Sequence, residues 1–280
     1  MRILILGATG LIGNNIFRYL NSCVDLHVTG TYRSDKHLSF FTNFERDNLL
    51  FYDFDQALPN EIFKKIKPDV VINLIAITKH VKESLDIPRM IQINSVFPHF
   101  LAKLCDEHSA KLIQISTDCV FSGGKGNYSE DDLADDLTFY GRSKALGEVT
   151  YGGHLTIRTS AIGRELETKY GLLEWFLSEN YSCLGYEKAV FTGLTARYLA
   201  YVISKYVLPY RSLSGLYHLS ANPINKFDLL CKLAKFYKKE INIIPDSSIQ
   251  IDRSLNSDSF KKATGFVAPS WDELIDAEWL

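Results

Sequence analysis

Short apolar runs and longer amphipathic stretches alternate through the first half of the chain. Residues 3–6, 25–29, 70–75 and 111–115 are brief, rich in Ile, Val and Leu, and end at Gly, Thr or Asn, the pattern of strands. Between them, 14–21, 61–65 and 88–108 carry apolar residues at helical spacing. Strand–helix alternation without a hairpin signal predicts βαβ units and hence an α/β fold with a doubly wound parallel sheet. Such sheets leave a crevice at the carboxyl ends of their strands. After about residue 155 the pattern loosens: 155–159 reads as a further strand, and 172–179, 196–208 and 226–237 read as helices between Gly, Pro and Ser.

Composition changes this picture little. The 280 residues are 46% hydrophobic and 23% charged, with a net charge of −2, ordinary values for a globular chain. Nothing in that balance favours nucleic acid or an anionic membrane as a partner. Cys23, Cys105, Cys119, Cys183 and Cys231 are scattered singly, so neither a zinc site nor a disulfide framework is indicated, and a reducing compartment fits. The apolar run at Met1 to Leu6 is too short for a signal peptide. No stretch reaches the roughly eighteen apolar residues of a membrane span, and a cytoplasmic location is expected.

Gly7-Ala8-Thr9-Gly10-Leu11-Ile12-Gly13 follows the first strand and opens the first helix. One glycine makes the tight turn, a second lets the backbone approach a pyrophosphate, and a third lets helix and strand pack closely. The helix N-terminus then offers N–H groups and partial positive charge to the phosphates. The GxxGxxG spacing resembles that of the extended short-chain dehydrogenases. A Rossmann-type architecture is therefore expected: an NAD(P)-binding domain over 1–155, then a mixed segment over 156–280 that completes the sheet and forms a substrate lobe. NAD-selective sites carry Asp or Glu at the end of the second strand. Here the chain runs Val28-Thr29-Gly30-Thr31-Tyr32-Arg33-Ser34, with no acid at the tip. The Arg33 guanidinium suits a 2′-phosphate, so NADPH is favoured and NADH use stays open.

Tyr140-Gly141-Arg142-Ser143-Lys144 has YxxxK spacing on an expected helix, which puts phenol and ammonium on one face. A cation beside a tyrosine favours its phenolate, so Lys144 is expected to bring Tyr140 toward the working pH. Thr117, at the carboxyl end of a strand, offers a hydroxyl to a substrate carbonyl from the crevice side.

The string STDCVFSGGKGNYSEDD…FYGRSKALGE is similar to the STDYVFxG…YxExD…YGxSKxxGE signature of the dTDP-4-dehydrorhamnose reductase family. Val71 to Thr78, Ile93-Asn94 and Ile157 to Ser160 match further parts of that family's pattern, and the resemblance runs to about residue 165. It implies that Thr117, Tyr140 and Lys144 are the catalytic set. Gly7, Gly10, Leu11, Ile12, Gly13, Arg33, Asp53, Phe54, Ala76 and Asn94 would line the cofactor site. The implied activity is NADPH-dependent reduction of a nucleotide-linked 4-keto-6-deoxy sugar for polysaccharide synthesis.

Two alternatives stay open. Cys119 stands where the family carries tyrosine, at the offset of the acid/base cysteine of GDP-fucose synthase, which points to an epimerase-reductase. That chemistry needs a histidine acid, and the sequence places neither His154 nor His218 in the role. Dehydration is disfavoured, because Asp118-Cys119 lacks the glutamate it requires. The regulatory subunit of methionine adenosyltransferase is similar to the same family, so a non-catalytic dinucleotide-binding role is the second alternative. On the substrate side, Lys79 and His80 should overlook the crevice, and Arg253 falls where relatives present an arginine to the diphosphate. Trp175 and Phe176 are candidates to floor a sugar or base. Ile77 replaces a tyrosine usual in rhamnose enzymes, and the nucleotide (dTDP, UDP or GDP) stays open. The resemblance implies a homodimer, which no amphipathic face of the sequence compels.

Overall fold

The computed structural model describes residues 1–53, 59–79, 82–276 and 278–280. Six strands follow one another as β1 (Arg2–Leu6), β2 (His27–Tyr32), β3 (Leu49–Phe51), β4 (Val70–Asn73), β5 (Lys111–Thr117) and β6 (Leu155–Thr159). They are joined by β7 (Ala161–Ile162), β8 (Ser182–Phe191), β9 (Leu194–Thr195), β10 (Gly215–His218), β11 (Ile224–Asn225) and β12 (Asn242–Asp252). The main sheet has seven strands in the order β10-β6-β5-β4-β1-β2-β3, and every neighbouring pair in it is parallel. The order reverses between β1 and β4, which sets the crevice at their carboxyl ends.

Both faces of this sheet are covered, which is why its strands read as unbroken apolar runs. Alternate side chains of β1 divide between two cores. Ile3 and Ile5 join Ile16, Phe17 and Leu20 of the Leu11–Asn21 helix on one face. Leu4 and Leu6 join Phe63, Phe97, Leu101 and Cys105 on the other. A smaller sheet, β11-β8-β12, lies in the second half, where β8 and β12 run parallel over most of their length. Among the described residues no helix is long and apolar enough to cross a membrane.

The structure moves several boundaries. The strand expected at 25–29 spans His27–Tyr32. Its tail holds Gly30, whose missing side chain leaves room for Ala8, Phe17 and Leu49 to close over the strand. The run expected as one helix over 88–108 is continuous, but a π-helical turn at Gln92–Val96 separates Ile87–Ile91 from Phe97–Glu107. The expected helix over 196–208 likewise becomes Ala196–Val202 followed by a π turn at Ile203–Val207. Strands β8, β10 and β12 were not legible in the pattern. β10 is four residues long, and β12 is exposed along most of its length, so neither shows an apolar run.

Candidate active site

The glycine turn is assembled by β1 and pinned to β2. Gly7 has φ +88°, a left-handed conformation that favours glycine. Its N–H donates to Thr31 Oγ1 at 3.0 Å, and the next N–H donates to the Thr31 carbonyl at 2.9 Å. A Cβ on Gly13 would stand 2.0 Å from the Gly7 carbonyl oxygen, so this glycine lets the helix close on the turn. Gly10 caps the Leu11–Asn21 helix without a side-chain hydrogen bond, which leaves the first N–H groups for another acceptor.

A cavity of about 390 Å³ opens over this turn at the carboxyl ends of β1, β2 and β4. Of the residues expected to hold a cofactor, Gly7, Gly10, Leu11, Arg33 and Ala76 line it. Ile12 packs toward the core and Gly13 is buried behind the turn. Asp53 follows Tyr52, which lines the cavity. Phe54 and His80 lie outside the described residues. Asn94 is buried and acts as a clamp: its amide exchanges hydrogen bonds with the N–H and carbonyl of Ile77 at 2.8 and 2.9 Å, and donates to Ser143 Oγ at 3.1 Å. It ties the loop after β4 to the Phe139–Leu146 helix.

The chemistry of the cavity fits a dinucleotide. Its lining combines Arg33, Lys36 and His37, the glycine turn, and the apolar residues Ile75, Ala76, Ile77 and Ile93. Tyr52 Oη and His37 Nδ1 are buried in its lining with no hydrogen-bond partner among the described residues. Buried polar atoms of that kind are costly unless a ligand or solvent serves them.

The catalytic candidates converge beside the cavity. Thr117 ends β5, donates to Asp118 Oδ1 and accepts the Cys119 N–H, both at 3.1 Å. Tyr140 packs against Ile77, Met90 and Ile93 and lies near enough to Thr117 for its hydroxyl to act on the phenol. Thr138 caps the helix by accepting the Gly141 N–H at 3.1 Å, and its own hydroxyl is held by Asp136. Burial pushes the Tyr140 phenol above its ordinary range; Cys119 and then Asp118 push the same way, and the Thr117 hydroxyl pulls against them. This corrects the expectation that Lys144 brings the phenol down. The Lys144 ammonium instead donates to the Ile115 carbonyl at 2.8 Å. Burial lowers its own pKa to about 8, against the pull of Glu148.

On the far side of Thr117, Lys79 Nζ and Arg253 Nη1 each lie 3.8 Å from Cys119 Sγ. Arg253 also donates to the Phe121 carbonyl at 2.6 Å and to Asp136 Oδ2 at 3.1 Å. Lys226, at the start of the Lys226–Tyr237 helix, joins this group. Burial lowers its pKa, followed by Lys79, while Asp118 and Cys119 raise it. Nothing in its local sequence marks Lys226, because only the packing of that helix brings it here. The Cys119 thiol is raised by burial and then by Asp118, so at neutral pH it holds its proton. Trp175 and Phe176 pack on the main core.

His154 and His218 have structural work. His154 accepts the Leu112 N–H at 3.2 Å and reaches the Ala102 carbonyl at 3.2 Å. His218 bonds the Tyr128 carbonyl through Nδ1 at 3.0 Å and faces Arg158 through Nε2 at 3.2 Å. Burial, then Arg158, lower its pKa to about 4, so it is neutral near pH 7.

The family model of the RmlD substrate binding domain matches residues 1–172. The dTDP-4-dehydrorhamnose reductase of Aggregatibacter actinomycetemcomitans is 28% identical over 235 residues, covering 79% of this chain and 74% of the relative. Methionine adenosyltransferase 2 subunit beta of Xenopus tropicalis is 28% identical over 258 residues, covering 83% and 71%. A crystal structure of a hypothetical dTDP-4-dehydrorhamnose reductase from Sulfolobus tokodaii superimposes with a TM-score of 0.78 at 26% identity, covering 97% of this chain and 98% of that one.

Proposed function

The chain belongs to the RmlD substrate binding domain family, and we propose that it is an NADPH-dependent reductase of a nucleotide-linked 4-keto-6-deoxy sugar. The observation that carries this reading is the meeting of Thr117, Tyr140 and buried Lys144 beside a cavity floored by the glycine turn. Gly7, Gly10, Leu11, Arg33 and Ala76 would hold the dinucleotide. A dihydronicotinamide bound there would supply the hydride that reduces the ketone carbon. The Thr117 hydroxyl hydrogen-bonds the ketone oxygen. Tyr140 gives its phenolic proton to that oxygen as it becomes an alkoxide, leaving a hydroxyl on the sugar and a phenolate on the enzyme. The raised pKa suits this direction, since the phenol keeps its proton until a strong base forms beside it. Lys144, one helical turn away and held by the Ile115 carbonyl, would orient the nicotinamide ribose, and solvent returns the proton to the phenolate. Lys79, Lys226 and Arg253 supply positive charge for the diphosphate of the substrate.

Two other readings remain as alternatives. The similarity to an adenosyltransferase subunit supports a dinucleotide-binding regulator. An epimerase-reductase would use Cys119 as an acid, but His154 and His218 are both committed to structural hydrogen bonds. The test is to follow nicotinamide absorbance with dTDP- and UDP-linked 4-keto-6-deoxy sugars offered separately, with Tyr140→Phe as control. Oxidation of NADPH by one substrate, abolished in the variant, supports the reductase and names its nucleotide. Tight NADPH binding without turnover of any keto sugar tested would favour the regulator.

A further inference from the structure

The cofactor end of the cavity contains a contest between charges. Arg33, Lys36 and His37 follow β2 directly, and all three line the cavity. From the stretch that follows β7, residues 165–168 bring Glu167 into the same lining. Its Oε2 lies 2.8 Å from Lys36 Nζ and 3.0 Å from His37 Nε2. The Lys36 and then the His37 hydrogen bonds hold the Glu167 carboxyl below its ordinary range, so it is an anion. His37 Nδ1, in the same ring, is buried without a partner among the described residues. Arg33 has a looser neighbour, Glu83, at 4.0 Å.

The end of the second strand is where this architecture reads the adenosine ribose at its 2′ position. A single carboxylate oxygen held there by the Lys36 ammonium and the His37 ring engages the donors that a phosphate oxygen would use. We propose that Lys36 and His37, with Arg33, form the clamp for the 2′-phosphate of NADPH, and that Glu167 is a built-in competitor for it. This deepens the reductase reading and rests on its choice of cofactor. A 2′-phosphate takes the donors of Lys36 and His37 and sends Glu167 back to water. A 2′-hydroxyl carries no charge to displace the carboxylate, so NADH leaves the bridge in place. Preference between the two cofactors is then set by the cations and moderated by Glu167.

The test is calorimetric titration of NADP⁺ and NAD⁺ into the wild-type chain, the Lys36→Ala/His37→Ala double variant and Glu167→Gln. All three side chains are partly exposed, so the variants keep the fold, which circular dichroism checks. Loss of two charge-assisted bonds should weaken NADP⁺ by about tenfold or more, with NAD⁺ changed by less than about twofold. Glu167→Gln should tighten NADP⁺ several-fold and leave NAD⁺ alone. Equal weakening of both cofactors by the double variant would overturn the clamp. Weaker NAD⁺ binding in Glu167→Gln would overturn the competitor, making Glu167 a reader of the ribose hydroxyl. If the wild type binds neither cofactor, the reductase reading falls and the clamp falls with it. If it binds NADP⁺ with no dependence on Lys36, His37 or Glu167, only the clamp falls.

Discussion

Two groups of charged side chains flank the carboxyl end of β5, and they are built on opposite plans. In the first, Arg158 on β6 gives Nε and Nη2 to the two oxygens of Glu148, both at 2.7 Å. Ser116 adds a third bond to Glu148 at 2.7 Å, and His218 on β10 faces the same guanidinium. The Arg158 and Glu148 side chains are only 5% and 8% exposed. In the second group, Lys79, Lys226 and Arg253 gather around Cys119. Asp136 pairs with Arg253, while neither Lys79 nor Lys226 has an ion pair among the described residues. Asp118 adds one buried carboxyl beside Thr117 and Cys119, its pKa raised by burial, so the cations still outnumber the acids. A matched network holds strands in register and has nothing left to offer a ligand. An excess of cations next to reactive hydroxyls is a place for an anion.

The comparison can be broken or sharpened by experiment. The largest effect is expected at the chemistry between the two groups: Tyr140→Phe should lower kcat by roughly 10²–10⁴-fold, the usual worth of a general acid. Calorimetric NADPH binding in that variant should be unchanged. Next comes the matched group. Glu148→Ala strands a buried guanidinium and should cost about 3–5 kcal/mol in urea denaturation. A loss below about 1 kcal/mol would mean that the pair is solvated and the contrast is false.

The pH dependence of the matched group has a definite sign. The unfolded chain protonates His218 near its ordinary value, whereas the native ring resists until about pH 4. Between those values the unfolded state binds more protons, so stability should fall as pH drops from about 6.5 toward 4. The His218→Gln variant should lose that slope in acid titrations followed by circular dichroism. Lys144 gives a second sign test. Its native pKa of about 8 predicts that kcat declines above pH 8 as the ammonium is lost. Over the same range its contribution to stability should rise, because the unfolded lysine still holds its proton.

The smallest effect on the fold is expected in the open group. Lys226→Ala should raise KM for the sugar nucleotide by about tenfold, as expected for one lost charge-assisted bond. Its unfolding free energy in urea should change by no more than about 0.5 kcal/mol. A large stability loss without a KM change would make Lys226 part of the scaffold.

Much of the architecture was legible before folding. The strands at 3–6, 70–75, 111–115 and 155–159 lie where the apolar runs predict, and the Lys226–Tyr237 helix matches its expected bounds. β10 and β12 were missed for a physical reason: a short edge strand and an exposed one bury too little to show a period. At the site, the glycine turn stood out from local geometry, while the threonine–tyrosine–lysine set stood out through the family signature that surrounds its i, i+4 spacing. Asn94 was singled out as lining the cofactor site, yet its amide is spent on Ile77 and Ser143. The electrostatics were not legible in the spacing. Spacing put Lys144 and Tyr140 on one face but could not say that burial, Cys119 and Asp118 raise the phenol.

The sequence by itself determined the parallel sheet, the glycine turn after β1 and the shared helix face of Tyr140 and Lys144, since left-handed glycine angles, strand periodicity and i, i+4 spacing act within a few residues of chain. Only the tertiary structure decided which charges meet. Lys79, Lys226 and Arg253 come from three distant segments, as do Lys36 and Glu167. Their encounters depend on how the strand order folds those segments together, and electrostatic interaction falls off with distance in space, to which separation along the chain is no guide.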